Sequence, residues 1–179
     1  KKSLLYVFLL CAVAFLILIQ FNKLTIVLGL ASMILAFSYP YMKRFTYWPQ
    51  LFLGLTFNWG IIMAWTSITG YISFEIIVLY TSAIFWTLGY DTIYGVQDIV
   101  DDEIIGMKST SIKFKNNIKL FVSICYFLSS ALLVYLFYYK FGLNNFTLLI
   151  TMFILTLMYQ IIKFKKDSPK KCLEAFKLN

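Results

Sequence analysis

The sequence predicts an all-α chain, a polytopic transmembrane helical bundle of about six spans, and three observations predict it. Of 179 residues, 61% are hydrophobic and only 13% charged, far from the balance of a soluble domain. Apolar runs recur along the chain, each close to the roughly 20 residues an α-helix needs to cross a bilayer. The basic residues collect in alternate connections between those runs.

The first run, residues 4–21, follows Lys1 and Lys2 and stops at Asn22-Lys23. No small-residue cleavage site follows it, so a span is expected there and not a signal peptide. The second run, 25–41, ends at Lys43-Arg44, with Pro40 placed where a helix tolerates it or ends. Pro49 suits the first turn of the third, 49–66, which is closed by Thr69-Gly70. The fourth, 74–92, runs into a long polar stretch; the fifth, 119–139, and sixth, 146–163, are parted by Lys140 to Asn145. A basic, helix-like tail, KKCLEAFKLN, ends the chain. The connections are too short for a soluble module, so residues 1–179 are expected to form a single transmembrane helical domain.

A net charge of +8 raises the question of nucleic acid, and its distribution answers it. With six alternating spans, only Lys23 and Lys140 fall on one side. The other fourteen of the 16 basic residues, from Lys1 and Lys2 through Lys43 and Arg44 to Lys166 and Lys177, fall on the other. That is the positive-inside pattern, which places both termini on the cytoplasmic or matrix side and makes a lipid bilayer, with no nucleic acid, the expected partner. Histidine is absent, so any acid–base or metal chemistry must use carboxylate, lysine or tyrosine. Cys11, Cys125 and Cys172 are too scattered for a zinc or redox motif, and no disulfide is expected.

Five of the eight acids, Asp91, Asp98, Asp101, Asp102 and Glu103, lie in thirteen residues, DTIYGVQDIVDDE. If the fourth helix continues, Asp98, Asp101 and Asp102 share a face at i, i+3 and i+4, with Asp91 a further seven back. Two readings fit. A charge run beside a membrane helix is often a solvated loop. Mutually repelling carboxylates also suit a cation, and hard oxygen ligands suit Mg2+ bridging to a phosphate. Lys108, with Ser109 and Thr110 beside it, then offers charge and hydroxyls to a phosphate oxygen. The apolar and aromatic flanks of Asp91 favour the second reading, because an ionisable residue in such flanks tends to face a polar cavity.

Three other positions stand out. Asn58, in the middle of the third run, is either interhelical glue between Gly54 and Gly60 or a contact to a substrate polar group. Lys43 and Arg44, between two tyrosines, either anchor a loop at the headgroups or bind a diphosphate or carboxylate.

The segments YPYMKRFTYWPQLFLGLTFNWGIIMAW and GYDTIYGVQDIVDDEIIGMKSTSIKF resemble the UbiA-type membrane prenyltransferases, most closely those that prenylate 4-hydroxybenzoate. The pattern Y-D-T-x-Y-x-x-x-D-x-x-D-D, followed by I-G-x-K-S-T, looks like that family's second aspartate-rich motif with its spacing intact. The resemblance implies a nine-helix bundle in which two such motifs bind Mg2+ and a polyprenyl diphosphate. The prenyl group then passes to the ring carbon beside the phenol hydroxyl of 4-hydroxybenzoate, a step toward ubiquinone. It implies Asp91, Asp98, Asp101 and Asp102 as the catalytic, metal-binding wall. Tyr94, Lys108, Lys43, Arg44 and Asn58 are the implied substrate contacts. A bacterial inner membrane or a mitochondrial inner membrane is the implied location.

One departure accompanies the matches: no acid precedes Glu75, so the family's first motif has no counterpart here. Aligned on the second motif, the chain is expected to start near the family's third helix and stop before its ninth, with a missing N-terminal half as a partner. Two alternatives to a prenyltransferase are an inactive truncated remnant and a small transporter with the acids as an ion site. A transporter predicts polar residues deep in several spans.

Overall fold

The computed structural model describes residues 2–165 and 169–177; Lys1 and Lys166 of the basic set, Asp167 and Ser168, and Leu178 and Asn179 of the tail lie outside the described residues. The described residues form an all-helical bundle without strands, as the composition predicts.

Six helical passages follow the six apolar runs. Helix α1 spans Lys2–Leu18, and α2 spans Lys23–Phe45, carrying Pro40 inside it. Asn22 caps α2 by accepting the Thr25 N–H at 3.0 Å. The third passage is split into α3, Pro49–Phe57, and α4, Trp59–Thr69. A single unbroken helix was expected there. At the joint the Asn58 side-chain amide donates to the Gly54 carbonyl at 2.9 Å, sharing the acceptor that its own backbone N–H reaches at 3.2 Å. Gly70 closes α4 at φ +74°, a left-handed position that costs glycine little.

Helix α5, Phe74–Tyr94, is capped by Ser73 and followed by two short helices, α6, Ile99–Ile104, and α7, Thr110–Lys113. Helix α8, Ile118–Phe137, α9, Asn145–Lys163, and the short α10, Pro169–Phe176, complete the order. Among the described residues five passages are long and apolar enough to cross a bilayer, and the chain is integral to a membrane; α1 is shorter, at 17 residues.

Helix α5 is the centre. It packs most extensively on α8 and also on α3, α4 and α10. Small and hydroxylated residues let it do so. Gly89 lies directly beneath the Tyr126 ring, and Ser82 donates to the Ser129 carbonyl at 2.9 Å. Tyr126 in turn donates to Gln160 of α9 at 2.6 Å, and Thr25 donates to Thr66 at 3.1 Å. These buried polar groups are used up in holding helices together.

Candidate functional site

The acidic patch sits where α5 ends. The C-terminal turn of α5 carries Asp91 and Tyr94; Gly95 then starts a turn through Asp98 into α6. Helix α5 therefore does not continue through the patch. A new helix, α6, starts directly after Asp98, whose carbonyl accepts the Asp102 N–H at 2.8 Å, so that Asp98, Asp101 and Asp102 keep their i, i+3 and i+4 spacing there while Asp91 stands on α5. Asp102 points inward and is buried, whereas Asp101, its neighbour on α6, is exposed. Asp91 and Asp98 are half-buried.

A lysine from another helix faces these acids. Lys43, in the last turn of α2, places Nζ 3.3 Å from Asp102 Oδ2. Asp91 stands in the last turn of α5, directly before the turn that carries Asp98, and Tyr39 stands one turn before Lys43 on α2. The loop and the helix are also joined through their backbones. Lys108 N–H donates to the Lys43 carbonyl at 2.8 Å, and Lys108 Nζ lies 3.4 Å from the Phe45 carbonyl and 5.6 Å from the Tyr47 ring centre. Asp91, Asp98, Asp102, Lys43 and Lys108 are thus gathered at one end of the bundle.

The remaining expected residues fall differently. Arg44 is exposed beside Lys43. Tyr94 is partly exposed, its ring packed on Phe176 of α10 with centroids 4.8 Å apart. The Asn58 amide donates to Gly54 O at 2.9 Å, Ala83 O at 3.3 Å and Thr87 Oγ1 at 2.8 Å, which is the interhelical glue among its two readings. Ser109 and Thr110 correct an expectation. Both are fully buried: Ser109 caps α7 through the Ile112 N–H, and Thr110 Oγ1 lies 2.7 Å from Thr92 Oγ1. Hydroxyls committed to such bonds are not presented to a phosphate.

Carboxylate oxygens suit Mg2+. Asp102 pairs with Lys43 and Glu103 with Lys115, whereas Asp91, Asp98 and Asp101 form no ion pair among the described residues. Those residues fit one side of a cation's shell. Among the described residues no three acids stand close enough to hold a metal alone.

Two nearby residues escaped the sequence. Gln50, second residue of α3 and 3% exposed, accepts the Thr110 N–H at 3.0 Å. An amide just inside an apolar run was the available signal, since it must find a buried partner. Tyr39 had the weaker signal of standing four residues before Lys43 on one helix face.

Known proteins share both the sequence and the fold. The family model described as "UbiA prenyltransferase family" matches residues 1–179. A mitochondrial 4-hydroxybenzoate polyprenyltransferase of Arabidopsis thaliana is 53% identical over 108 residues, covering 60% of this chain and 26% of that protein. A 4-hydroxybenzoate octaprenyltransferase of Vibrio campbellii is 38% identical over 165 residues, covering 91% of this chain and 57% of that protein. The apo structure of a UbiA homolog from Aeropyrum pernix K1 superposes with a TM-score of 0.77 at 22% identity, covering 94% of this chain and 63% of that one. The chain therefore spans between about a quarter and somewhat over half of the length of these curated relatives.

Proposed function

The chain belongs to the UbiA prenyltransferase family, and from that footing we propose that it forms one wall of a Mg2+-dependent site transferring a polyprenyl group from its diphosphate to the ring of 4-hydroxybenzoate. The observation that carries the reading is the gathering of Asp91, Asp98 and Asp102 with Lys43 and Lys108 at one end of an apolar bundle. The relatives' names supply the acceptor and the link to ubiquinone synthesis.

In this reading Asp91 and Asp98 would hold the metal with Asp101 at the rim, and Lys108 and Arg44 would meet the diphosphate oxygens. Lys43, neutralised in part by Asp102, sets the position of the inner carboxylates. Bound Mg2+ supplies positive charge that stabilises the departing diphosphate. The aromatic side chains around the mouth, Tyr39, Tyr90 and Tyr94, exclude water from an allylic cation and favour it through their ring faces. The opposing acidic wall, in this reading, comes from a further polypeptide segment. Residues 1–179 act as one helical domain in a bacterial or mitochondrial inner membrane, with both termini on the cytoplasmic or matrix side.

A second reading, an inactive remnant, draws support from the lack of three converging acids among the described residues. One assay separates the two. Membranes holding this chain receive Mg2+, a polyprenyl diphosphate and radiolabelled 4-hydroxybenzoate, with and without the N-terminal part of the Vibrio campbellii relative. Prenylated product only with the added segment, abolished by Asp91→Ala or Asp98→Ala, is the expected result. No product under either condition favours the remnant, and product from the chain alone overturns the two-wall requirement.

A further inference from the structure

The loop that carries Lys108 is anchored by a residue outside the acidic patch. Gln50, buried at the start of α3, accepts the Thr110 N–H across sixty positions of sequence at 3.0 Å. Thr110 and Thr92 place their hydroxyl oxygens 2.7 Å apart, and Ser111 Oγ donates to the Thr92 carbonyl at 2.8 Å. All three hydroxyl residues are fully buried. Gly95 closes against the same group: a Cβ there would stand 2.6 Å from Ser111 Oγ and 3.2 Å from Gln50 Nε2. At the other end of the loop, Lys108 N–H holds the Lys43 carbonyl, and Lys43 meets Asp102.

A buried backbone N–H must be paired, and removing its only acceptor costs the whole desolvation of that group. Gln50 is the acceptor the structure gives Thr110. Resting on the function proposed above, we propose that Gln50 is a positioning residue for the acidic wall. Through Thr110 it fixes segment 108–111 against α5, so that Lys108, Lys43 and Asp102 stand beside Asp91 before any ligand arrives. The wall is thereby preformed and is not assembled by the metal.

The test has two arms, both on the chain in lipid nanodiscs. In the first, amide hydrogen exchange of the segment spanning Thr110 is followed in wild type without divalent metal. Protection comparable to the last turn of α5 is expected. Rapid exchange that slows only on adding Mg2+ with inorganic pyrophosphate would overturn the proposal. In the second, Mg2+ with inorganic pyrophosphate is titrated into wild type, Gln50→Met and Gln50→Glu, with the melting temperature of each recorded without ligand. Loss of a group that orients ligands from behind typically weakens affinity by about tenfold or more, which is expected for Gln50→Met. Gln50→Glu retains an acceptor for Thr110 and is expected to recover part of that loss. Equal affinity in wild type and Gln50→Met, or no recovery in Gln50→Glu at an unchanged melting temperature, overturns the positioning role. Should wild type bind no pyrophosphate, the diphosphate reading fails, and the exchange arm alone decides for or against a preformed wall.

Discussion

Helices α1 and α5 are both long apolar helices, yet the bundle treats them in opposite ways. Nearly every side chain of α1 is exposed, with Leu4 75% and Phe8 70% accessible, and its contacts with α2 are few. Ten of the 21 residues of α5 are buried, against two of the 23 in α2, although α5 has the lowest mean hydropathy of the five long spans. In lipid, apolarity gives a helix no reason to prefer a protein neighbour. Close approach and polar pairing decide instead. Helix α5 has Ser82, Thr87, Gly89 and Thr92 for that purpose, while α1 offers leucine, phenylalanine and valine along most of its length.

The sharpest break of that contrast is at Gly89. A Cβ there runs into the ring of Tyr126, which is itself 2% exposed and tied to Gln160, so the ring has nowhere to go. Gly89→Val is expected to cost about 3 kcal/mol by overpacking, read as loss of folded protein in a reversible detergent-unfolding assay. Gly60→Val is the control, because nothing stands within 4 Å of its added carbon. Equal losses at both would mean that helix propensity, and not the α5–α8 seam, sets the cost.

The acidic end of α5 gives the next effect. Lys43→Met strands the buried Asp102 carboxylate, whose partner side chain is partly solvated. An expected loss of about 2 kcal/mol lies between exposed and fully buried ion pairs. Lys43→Met combined with Asp102→Leu should regain most of it in the same assay. A double variant as unstable as the single one would show that Lys43 acts through something other than Asp102.

These two sites also mark how far the sequence can be read. The runs of apolar residues located the helical passages, and the clustered acids located the end of the bundle where the charges gather. The break at Asn58 was not legible, because the apolar run 49–66 continues through it without a proline or a charge to mark the joint. Local spacing grouped Asp98, Asp101 and Asp102 and set Asp91 seven residues back on the same helix, but α5 stops at Tyr94, where Gly95 is packed by Ser111 and Gln50, and a separate helix starts after Asp98. Ser109 and Thr110 read as phosphate contacts beside Lys108, but Ser109 caps α7, and Thr110 is held by Thr92 and by Gln50 sixty residues away. Tertiary partners at such separations leave no local periodicity to find.

A smaller effect tests the polar ties alone. Tyr126→Phe keeps the ring over Gly89 and removes only the hydroxyl bonded to Gln160. The expected cost is about 1 kcal/mol, measured as a shift in the unfolding midpoint, with the helical content of the native state unchanged. A negligible shift would assign the α8–α9 contact to ring packing, and the polar pairing half of the contrast would lose support there.

The smallest effect is expected on α1, and its pattern carries more than its size. Its side chains face outward around most of the helix, so no single stripe is committed to the rest of the chain. Replacing Leu4, Phe8, Leu9 or Leu16 by alanine should therefore change stability by less than about 0.5 kcal/mol each, the usual range for exposed positions. The measurement is the same unfolding midpoint, taken in nanodiscs with and without the N-terminal part of the Vibrio campbellii relative. Uniformly small costs in both conditions would make α1 a lipid-facing edge. Costs that rise only with the added segment, and only at positions three or four apart, would instead make one stripe of α1 a seam for further helices. The difference between α1 and α5 would then be one of available partners and not of residue type.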